Sequence, residues 1–532
     1  MINSEKYTLG TLALAAAEKY GKKTAFQIFH DNGVYDRLSY AEFGIRVRRF
    51  ASYLKGHGIK TGDRVMILAE NRPEWPIAFF GIALVGAISV PVLTDFVEEQ
   101  IRVIAAHSEI SAICVTERTA AKAEWLRGSL PFFVLDDADL FKELAHSEIV
   151  TESISKNDPS VIIYTSGTTG SSKGVVLSHE NLIFTATAAR SIMKIYPRDR
   201  LLSVIPLAHS YECTLGLLTP LMSGASITYL DKPPSPAVLI PAMQNLRPTA
   251  IVGVPLFLEK IYRNSIFPSL EKNILYKLKP TRSIAIKLAG AGLMAAMGSA
   301  LRFFGIGGAP LAEDVEVFLR KAGFPYSPGY GLTETSPLVA GTAPYRFAFR
   351  SSGKMIPGIS IRISDEGEVQ VQGPNVMQGY YHDEERSKGA FTDDGWLKTG
   401  DLGYMDKKNH LFLRGRIKAM ILGPSGENIY PEEIENLLNT SGMVEDSLVQ
   451  SGPRGELVAF IVLSEKAQTA IAALADNMEE LKQNVNKRLA AFSRLSRIEI
   501  QKEPFEKTPT RKIKRFLYTN LGSGELGVGS RG

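Results

Sequence analysis

Cysteine is scarce in this sequence, and the motifs typical of protein kinases and P-loop NTPases are missing. The 532 residues include only two cysteines, Cys114 and Cys213, each in an apolar stretch. We therefore expect two reduced, buried thiols in a cytosolic protein. There is no Walker sequence and no protein-kinase signature set, which argues against a kinase or a P-loop NTPase.

A large excess of either charge is also missing. The formal net charge is +5, with 45% hydrophobic and 22% charged residues. This charge is too small and too dispersed to indicate nucleic-acid binding, although it would not repel an anionic substrate or an anionic lipid. The composition is ordinary for a globular enzyme of more than one domain.

No uninterrupted apolar run is long enough to make a convincing membrane span. Residues 76–93 come closest, but Gly81, Gly86 and Pro91 divide them, which predicts a buried helix running into a strand. Residues 9–17 predict an amphipathic helix ending at Gly21 rather than a signal peptide. The uncharged residues 288–301, flanked by basic side chains, predict a buried helix, with peripheral contact to the inner face of a membrane as the alternative.

The most informative feature present is a loop rich in hydroxyls and glycine, formed by Thr165, Ser166, Gly167, Thr168, Thr169, Gly170, Ser171, Ser172, Lys173 and Gly174. Glycine lets the backbone approach a ligand closely, hydroxyls donate to phosphate oxygens, and lysine adds a positive charge. Apolar runs at 160–164 and 174–178 predict a strand on each side. The loop therefore predicts a polyphosphate site at the tip of a hairpin.

Four further segments carry candidate site residues. Small residues follow a predicted strand at Gly307, Gly308, Ala309 and Pro310; they leave room for a flat ligand, and a tight turn explains them equally well. The segment 326–334 combines the aromatic ring of Tyr330, Gly331, the hydroxyl of Thr333 and the carboxylate of Glu334, which suits stacking, phosphate contact and Mg²⁺ ligation. Asp401 lies in a Thr-Gly-Asp sequence that is as typical of a turn as of a ribose site. His209 follows a strand, and a lone histidine is more often structural.

The pattern of strands predicts an α/β fold. Strand-like runs at 64–68, 201–205, 250–254 and 302–306 alternate with helical stretches, which indicates layered subdomains with largely parallel strands. Short alternating strands at 361–413 predict a small β-rich module. After residue 415, a helix beginning at Pro431, two strands, a helix over 467–489 and a strand near Ile498 predict a small α+β domain. We expect a large domain over 1–415, a mobile lid domain over 416–521 and a flexible tail over 522–532.

These segments, in this order, resemble the adenylate-forming (AMP-binding) superfamily, and most of all its long-chain fatty acyl-CoA ligases. The similarity extends over about residues 9–515, and the sequences 254–262, 394–403 and 512–515 carry the likeness to the long-chain group. It implies ATP-dependent activation of a fatty acid to an acyl-adenylate with release of pyrophosphate, followed by transfer to CoA. A carrier-protein phosphopantetheine as acceptor, or an adenylate as end product, is the alternative.

The resemblance also implies roles for individual residues. Thr165 to Lys173 would hold the ATP β- and γ-phosphates, Gly307 to Pro310 and Tyr330 the adenine, Thr333 the α-phosphate and Glu334 the Mg²⁺. Asp401 and Arg416 would bind the ribose, and His209 would line the acyl site. Lys418 is at the hinge position, Gly426 and Glu427 lie in a loop used for the thioester step, and Lys512 would bridge carboxylate and phosphate. A non-catalytic lipid or nucleotide binder would need neither Lys512 nor Glu334.

The sequence departs from the family pattern at three places. Ser172 replaces a common proline, Arg511 replaces a common glycine, and Ala419-Met420 is apolar where acids are usual. None of these changes removes a chemical group that the implied reaction needs.

Overall fold

The computed structural model describes residues 6–30, 33, 35–137, 140, 153–166, 172–422, 428–452, 456–468, 474–507, 513–518 and 521. Its strands in chain order are β1 Thr24–Phe29, β2 Tyr35–Ser39, β3 Arg64–Leu68, β4 Ile88–Pro91, β5 Ala112–Val115, β6 Phe132–Val134, β7 Pro159–Ser166, β8 Ser172–Ser178, β9 Arg200–Leu202, β10 Ser226–Leu230, β11 Ala250–Gly253, β12 Phe303–Ile306, β13 Tyr326–Tyr330, β14 Ala340–Gly341, β15 Lys354–Met355, β16 Ser360–Ile363, β17 Glu368–Gln372, β18 Gly379–Tyr380, β19 Leu397–Met405, β20 Leu411–Arg416, β21 Ile421–Leu422, β22 Asn428–Ile429, β23 Val444–Ser451, β24 Leu457–Leu463 and β25 Leu495–Ile500.

The α-helices are α1 Leu9–Tyr20, α2 Tyr40–Gly56, α3 Glu74–Leu84, α4 Glu98–Ser108, α5 Glu117–Ala120, α6 His179–Ala189, α7 Thr219–Ser223, α8 Pro236–Leu246, α9 Pro255–Ile261, α10 Phe267–Lys272, α11 Ile274–Lys277, α12 Arg282–Ala296, α13 Glu313–Ala322, α14 Glu384–Gly389, α15 Pro431–Asn439, α16 Glu465–Gln468 and α17 Leu474–Asn486. Two π-helical segments, Glu212–Leu218 and Tyr262–Ile266, join α-helices without a break.

Two large sheets organise the chain. One has nine strands in the order β15-β14-β13-β12-β11-β9-β10-β1-β2, and the other has seven in the order β18-β8-β7-β4-β3-β5-β6. In the first sheet, strands β13, β12, β11, β9, β10 and β1 run parallel to one another, and in the second sheet β7, β4, β3, β5 and β6 do the same. The strands outside these two sets are antiparallel to their neighbours. The predicted α/β class with largely parallel strands is confirmed.

Three smaller sheets follow in the described part of the chain, one of them the two-stranded pair β21-β22. Strands β16-β17-β19-β20 form an antiparallel sheet, which confirms the β-rich module predicted for 361–413. Farther along, β23-β24-β25 form a sheet whose apolar core includes side chains of α15 and α17. The predicted helix over 467–489 is described as α16 and α17, and residues 469–473 lie outside the described residues. The domain limits at 415 and 521 stay predictions, and the tail 522–532 lies outside the description.

The three segments that imitate membrane signals have different outcomes. Residues 76–93 contribute to α3 and β4 and are buried, as predicted. Residues 9–17 belong to α1, which ends before Gly21, as predicted. Residues 288–296 belong to α12, which begins at Arg282. Their predicted burial is wrong for one face of this helix, where Leu288 is 59% exposed. No helix in the described part of the chain is long and apolar enough to cross a membrane.

One apolar core joins three of the sheets. The same cluster contains Ile67 of β3, Val252 of β11 and Val369 of β17, so the seven-stranded, nine-stranded and four-stranded sheets pack against one another. Because the parallel strands β9, β11, β12 and β13 are neighbours, the segments that leave their carboxyl ends meet at one edge of the nine-stranded sheet. This edge collects the segments that contain His209, Gly307 and Tyr330.

Candidate active site

A β-hairpin brings the hydroxyl-rich loop to this edge. Strands β7 and β8 pair antiparallel, with Thr165 opposite Lys173, which confirms the predicted hairpin. The Thr165 Oγ1 atom is buried and has no hydrogen-bond partner among the described residues. A buried hydroxyl without a partner is costly, so a phosphate oxygen arriving at this loop would satisfy it. Gly167, Thr168, Thr169 and Gly170 lie outside the described residues, as does the side chain of Ser166.

Lys173 belongs to a cluster with Glu334 and Tyr380, which we call the Lys173 cluster. The Lys173 Nζ atom lies 2.7 Å from Glu334 Oε1 and donates to the Tyr380 hydroxyl at 2.6 Å. The Tyr380 hydroxyl donates in turn to Glu334 Oε1 at 3.0 Å. The ammonium also lies 4.3 Å from the centre of the Tyr380 ring, within reach of a cation–π contact. Tyr380 therefore supports both charged partners.

The charges of this cluster are fixed by their mutual contacts. Burial, the largest single effect, raises the pKa of Glu334. The charge and hydrogen bond of Lys173, with hydrogen bonds from the Glu334 backbone and from Tyr380, together outweigh burial and hold that pKa below its ordinary value. Burial, and then the charge of Glu334, raise the pKa of Tyr380. At neutral pH Glu334 is therefore an anion and Tyr380 a neutral hydroxyl.

The donor set at Glu334 fits a magnesium ion that arrives with a nucleotide. Among the described residues no three His, Cys, Asp or Glu side chains group closely enough to form a metal site of their own. Mg²⁺ is usually held by one or two carboxylates together with substrate phosphates and water. Glu334 supplies one carboxylate beside the hairpin of β7 and β8, and both of its hydrogen bonds to the cluster use the same oxygen, Oε1.

A second cluster, the Asp401 cluster, consists of Tyr330, Asp401 and Arg416. The Tyr330 hydroxyl donates to Asp401 Oδ2 at 2.6 Å, and Arg416 Nε lies 2.6 Å from Asp401 Oδ1. Asp401 and Arg416 are direct cross-strand partners on β19 and β20, whereas Tyr330 ends β13 in another sheet. The cluster therefore ties the four-stranded sheet to the nine-stranded one.

The two clusters share one electrostatic environment. Burial is the largest single effect and lowers the pKa of Arg416, but the charges of Asp401, Tyr330, Glu432 and Glu334 together outweigh it and raise that pKa above its ordinary value. The influence of Glu334 means that the carboxylate of the Lys173 cluster lies near the guanidinium of the Asp401 cluster. Lysine, arginine and two carboxylates thus converge at the end of β13.

The small residues after β12 form an open rim. Gly307 is buried, and an added Cβ would lie 3.2 Å from Tyr211 Cζ, whereas Gly308, Ala309 and Pro310 are exposed. Gly308 has φ +86, which favours glycine. Gly331 has a packing reason to be glycine, since a Cβ there would meet the Pro337 carbonyl oxygen at 1.5 Å.

Beside the rim, two titratable side chains are neutral at neutral pH. Burial lowers the pKa of His209 to about 4 against the opposing charge of Asp95. Burial raises the pKa of Glu212 to about 8, although Ser203 donates to its Oε1 at 2.5 Å. Glu212 Oε2 has no partner among the described residues. We call these two residues the neutral pair.

The local backbone makes room for this pair. Glu212 begins the π-helix Glu212–Leu218, and a Cβ on Gly216 would lie 2.4 Å from Glu212 Cδ. Single π-helical turns are often found at functional sites. The next hydroxyl along, Ser210 Oγ, lies 3.5 Å from Thr333 Oγ1, so this segment reaches the residue before Glu334.

The structure brings most of the predicted site residues together and leaves some undescribed. Thr165, Lys173, His209, Gly307, Tyr330, Thr333, Glu334, Asp401 and Arg416 lie around one edge. Lys418 lies in the short turn Ile417–Ala419 immediately after Arg416. Lys512, Gly426 and Glu427 lie outside the described residues.

Sequence reasoning missed Tyr380 and Glu212. Tyr380 is 207 residues from Lys173 in the chain, and the contact exists because β18 pairs with β8. No pattern in the local sequence predicts a contact between residues so far apart in the chain. For Glu212 a signal was present, because an isolated acid immediately before the largely apolar residues 213–218 is unusual unless a particular environment holds it.

Known proteins share both the sequence and this architecture. A family model described as AMP-binding enzyme matches residues 14–381. Long-chain-fatty-acid–CoA ligase FadD15 of Mycobacterium bovis is 29% identical over 566 residues, covering 93% of this chain and 92% of that protein. Long-chain-fatty-acid–CoA ligase ACSBG1 of Homo sapiens is 25% identical over 529 residues, covering 89% of this chain and 73% of that protein.

A solved structure agrees with them. The ATP-bound RpMatB-BxBclM chimera B1 superposes with a TM-score of 0.79 at 25% identity, covering 97% of this chain and 99% of that chain. The similarity of fold therefore extends over nearly the whole chain. Since the family model covers well over half of its length, the chain belongs to the AMP-binding enzyme family.

Proposed function

We propose that this enzyme joins a long-chain fatty acid to AMP and then transfers the acyl group to the thiol of CoA, with release of AMP. The observation that carries the proposal is the convergence of the Lys173 and Asp401 clusters beside Thr333, next to the neutral pair. The relatives named as long-chain-fatty-acid–CoA ligases, similar over most of this chain, support the choice of acid and acceptor.

Nucleotide binding would begin with an exchange of partners at Lys173. The ammonium would move its hydrogen bonds from Glu334 to phosphate oxygens, and the Thr165 hydroxyl would gain the partner it lacks. Glu334 would then be free to hold Mg²⁺, which supplies charge neutralisation for the phosphates. Tyr380 would keep both side chains in position during the exchange.

The remaining nucleotide groups match the other features of the edge. Asp401, fixed by Arg416 and Tyr330, would accept the ribose hydroxyls, and the exposed rim at Gly308, Ala309 and Pro310 would receive the adenine. Because Asp401 is already oriented by two partners, little reorganisation is needed when the ribose arrives.

Adenylation would then proceed by attack of a carboxylate oxygen of the acid on the α-phosphorus. A new oxygen–phosphorus bond forms, the bond to the pyrophosphate oxygen breaks, and pyrophosphate leaves with the displaced electron pair. Thr333 would contact the α-phosphate, and Lys512 would stabilise the charge that develops between carboxylate and phosphate.

The acyl tail would lie against the neutral pair. An uncharged His209 and a protonated Glu212 place no net charge beside an alkyl chain, so desolvation of that chain is not opposed. For the second step, rotation near Lys418 would withdraw Lys512 and bring the loop of Gly426 and Glu427 toward the thiol of CoA. The scarcity of cysteine supports a cytoplasmic location.

A graded panel of acids tests this function. Purified enzyme receives ATP, MgCl₂ and CoA with acids from butyric to stearic, and AMP, pyrophosphate and acyl-CoA are quantified. We expect AMP and pyrophosphate to form only when an acid is present, and most rapidly with long chains. Release of ADP would contradict the proposal. If the acyl group were transferred to a carrier protein but not to CoA, the carrier protein would be the acceptor in place of CoA.

Substitution of Lys512 tests the adenylation chemistry separately. Lys512→Ala should slow acid-dependent ATP–pyrophosphate exchange by about 10²–10³-fold, the scale of losing one charge-stabilising group. The matched control is Lys514→Ala, since Lys514 lies nearby and pairs with Glu506 on the surface. Equal rates for the two variants would remove Lys512 from the proposed reaction.

A further inference from the structure

Apolar side chains of α11, of α12 and of the turn between them are exposed in the described part of the chain. Ile274 is 70% exposed, Leu278 52%, Ile284 54% and Leu288 59%. Ile284 and Leu288 are one helical turn apart, and exposed Ala291 and Ala295 continue the row along α12. We call these six residues, Ile274, Leu278, Ile284, Leu288, Ala291 and Ala295, the outer face.

Packing on the opposite side fixes this exposure. Leu275, Tyr276 and Ile286 pack into an apolar core together with Leu293. A Cβ on Gly290 would lie 2.6 Å from Ala322 Cβ, so α12 crosses α13 at very close range there. The helix cannot roll to bury Ile284 and Leu288 without losing these contacts.

The turn between the two helices is fixed as well. Thr281 Oγ1 donates to the Leu275 carbonyl at 2.8 Å, and Arg282 Nε donates to the Tyr276 carbonyl at 2.9 Å. Asn273 Oδ1 accepts from the Leu275 backbone N–H at 2.9 Å. Ile274 and Leu278 therefore protrude from an ordered segment.

Basic side chains alternate with the apolar ones. No Asp or Glu occurs between Glu271 and Glu313, whereas the same stretch contains the exposed residues Lys272, Lys277, Lys279, Arg282 and Lys287. None of the four lysines pairs with a carboxylate anywhere in the described chain. Arg282 occupies the first turn of α12, where a cation opposes the helix dipole, so helix stability does not explain it.

We infer that the outer face docks on an anionic lipid surface, with α12 lying in the plane of the interface. Apolar side chains in a row can enter the boundary between headgroups and acyl chains while neighbouring lysines reach the anionic headgroups. A second copy of this chain fits less well, because two such faces would bring like charges together. An acidic protein would match the charge but leaves the protruding isoleucines and leucines unexplained.

This inference rests on the proposed function for its purpose. A long-chain acid partitions into bilayers, so docking would place the enzyme where that substrate is concentrated. The docking itself needs no catalysis, and it is measured by a separate readout.

Vesicle co-sedimentation tests the inference with the full chain. Vesicles of phosphatidylcholine alone are compared with vesicles that also contain phosphatidylglycerol. We expect sedimentation with the anionic vesicles, weakened by added salt, and little with the neutral ones. Absence of binding to anionic vesicles would overturn the inference.

Two variants locate the surface. Ile284→Glu/Leu288→Glu and Lys277→Glu/Lys279→Glu should each weaken binding by about tenfold or more. The matched control is Val97→Glu/Val103→Glu at α4, where the valines are 61% and 58% exposed but not surrounded by lysines, and it should bind as the unaltered chain does. Each variant is also checked for unchanged thermal unfolding and unchanged AMP release with a water-soluble acid.

The outcomes separate the possible occupants and the two proposals. The inference would be overturned if both outer-face variants bound the anionic vesicles as the unaltered chain does. It would also be overturned if light scattering showed that the unaltered chain is a dimer and the variants are not, since the outer face would then join two copies. A third contradicting outcome is that the outer-face variants lose acyl transfer to an acidic carrier protein while their binding to vesicles stays intact. Vesicle binding by an enzyme that releases no AMP with any acid would support docking while rejecting the proposed function.

Discussion

The Lys173 and Asp401 clusters keep their charges, whereas the neutral pair beside them loses its charges. In the clusters each carboxylate faces a cation, so Glu334 stays ionised despite its burial. His209 is half-buried and Glu212 is buried, and neither forms an ion pair within the described part of the chain. Desolvation moves the pKa of His209 to about 4 and that of Glu212 to about 8. Burial alone therefore does not decide ionisation, because the nearest partner does.

This difference matches the two halves of the proposed substrate pair. A nucleotide triphosphate with Mg²⁺ needs fixed charges, and an alkyl chain needs their absence. Side chains that are close together at one sheet edge can serve both needs only if their pKa values move in opposite directions. Four substitutions test the contrast, beginning with the one of largest expected effect.

Removing the charge of Glu334 should have the largest effect. Glu334→Gln keeps the size of the side chain and a hydrogen-bond acceptor for Tyr380, but it removes the anion that would hold Mg²⁺. We expect kcat for adenylation to fall by about 10²–10³-fold. The measurement is acid-dependent pyrophosphate release at several Mg²⁺ concentrations, with exposed Glu385→Gln as the control. A normal rate in Glu334→Gln would reject the charged role.

Removing the charge of Asp401 should have a smaller effect, which falls on binding. Asp401→Asn weakens the contacts to Arg416 and to the ribose, and KM for ATP should rise about 10–100-fold. Asp394→Asn is the control, because Asp394 also pairs with an arginine, Arg362, but lies on the surface. A fall in kcat with unchanged KM would contradict this assignment.

Removing the Tyr380 hydroxyl should have a modest effect. Tyr380→Phe retains the ring under Lys173 but loses two hydrogen bonds, and we expect kcat/KM for ATP to fall by about three- to tenfold. The neighbouring Tyr381→Phe is the control. If Tyr380 only supports packing, the two variants will have equal kcat/KM and differ, if at all, in thermal stability.

Neutralising Glu212 should leave catalysis nearly unchanged and alter the pH dependence of stability. The folded-state pKa of about 8 exceeds the unfolded value, so the folded protein binds the extra proton, and its stability falls as pH rises between the two values. Each pH unit in this window costs about 1.4 kcal/mol. Glu212→Gln removes this dependence, so its free energy of unfolding should exceed that of the unaltered chain by more at about pH 8 than at about pH 5.

Denaturant unfolding at both pH values measures this effect, and exposed Glu366→Gln is the control. A difference between Glu212→Gln and the unaltered chain that stays constant with pH would show that Glu212 is ionised in the folded state. The contrast between the charged clusters and the neutral pair would then fail.

Local patterns in the sequence predicted much of the fold. Alternating strands and helices gave the α/β class, apolar runs around the hydroxyl-rich loop gave the hairpin of β7 and β8, and Pro431 followed by acids marked the start of α15. The helix of residues 288–301 was predicted to be buried, but it lies half exposed, because burial depends on which neighbours a helix meets and not on its own composition.

The residue types at the candidate site were determined by the sequence alone: a lysine among hydroxyls, a tyrosine close to a carboxylate, and an aspartate in a tight turn. Their partners were decided only by the tertiary structure. Lys173 meets Tyr380 because β18 adds to the edge of β8, and Tyr330 meets Asp401 because two sheets pack together. Ionisation followed the same rule, since a pKa depends on burial and on charges that are distant in the chain but adjacent in space.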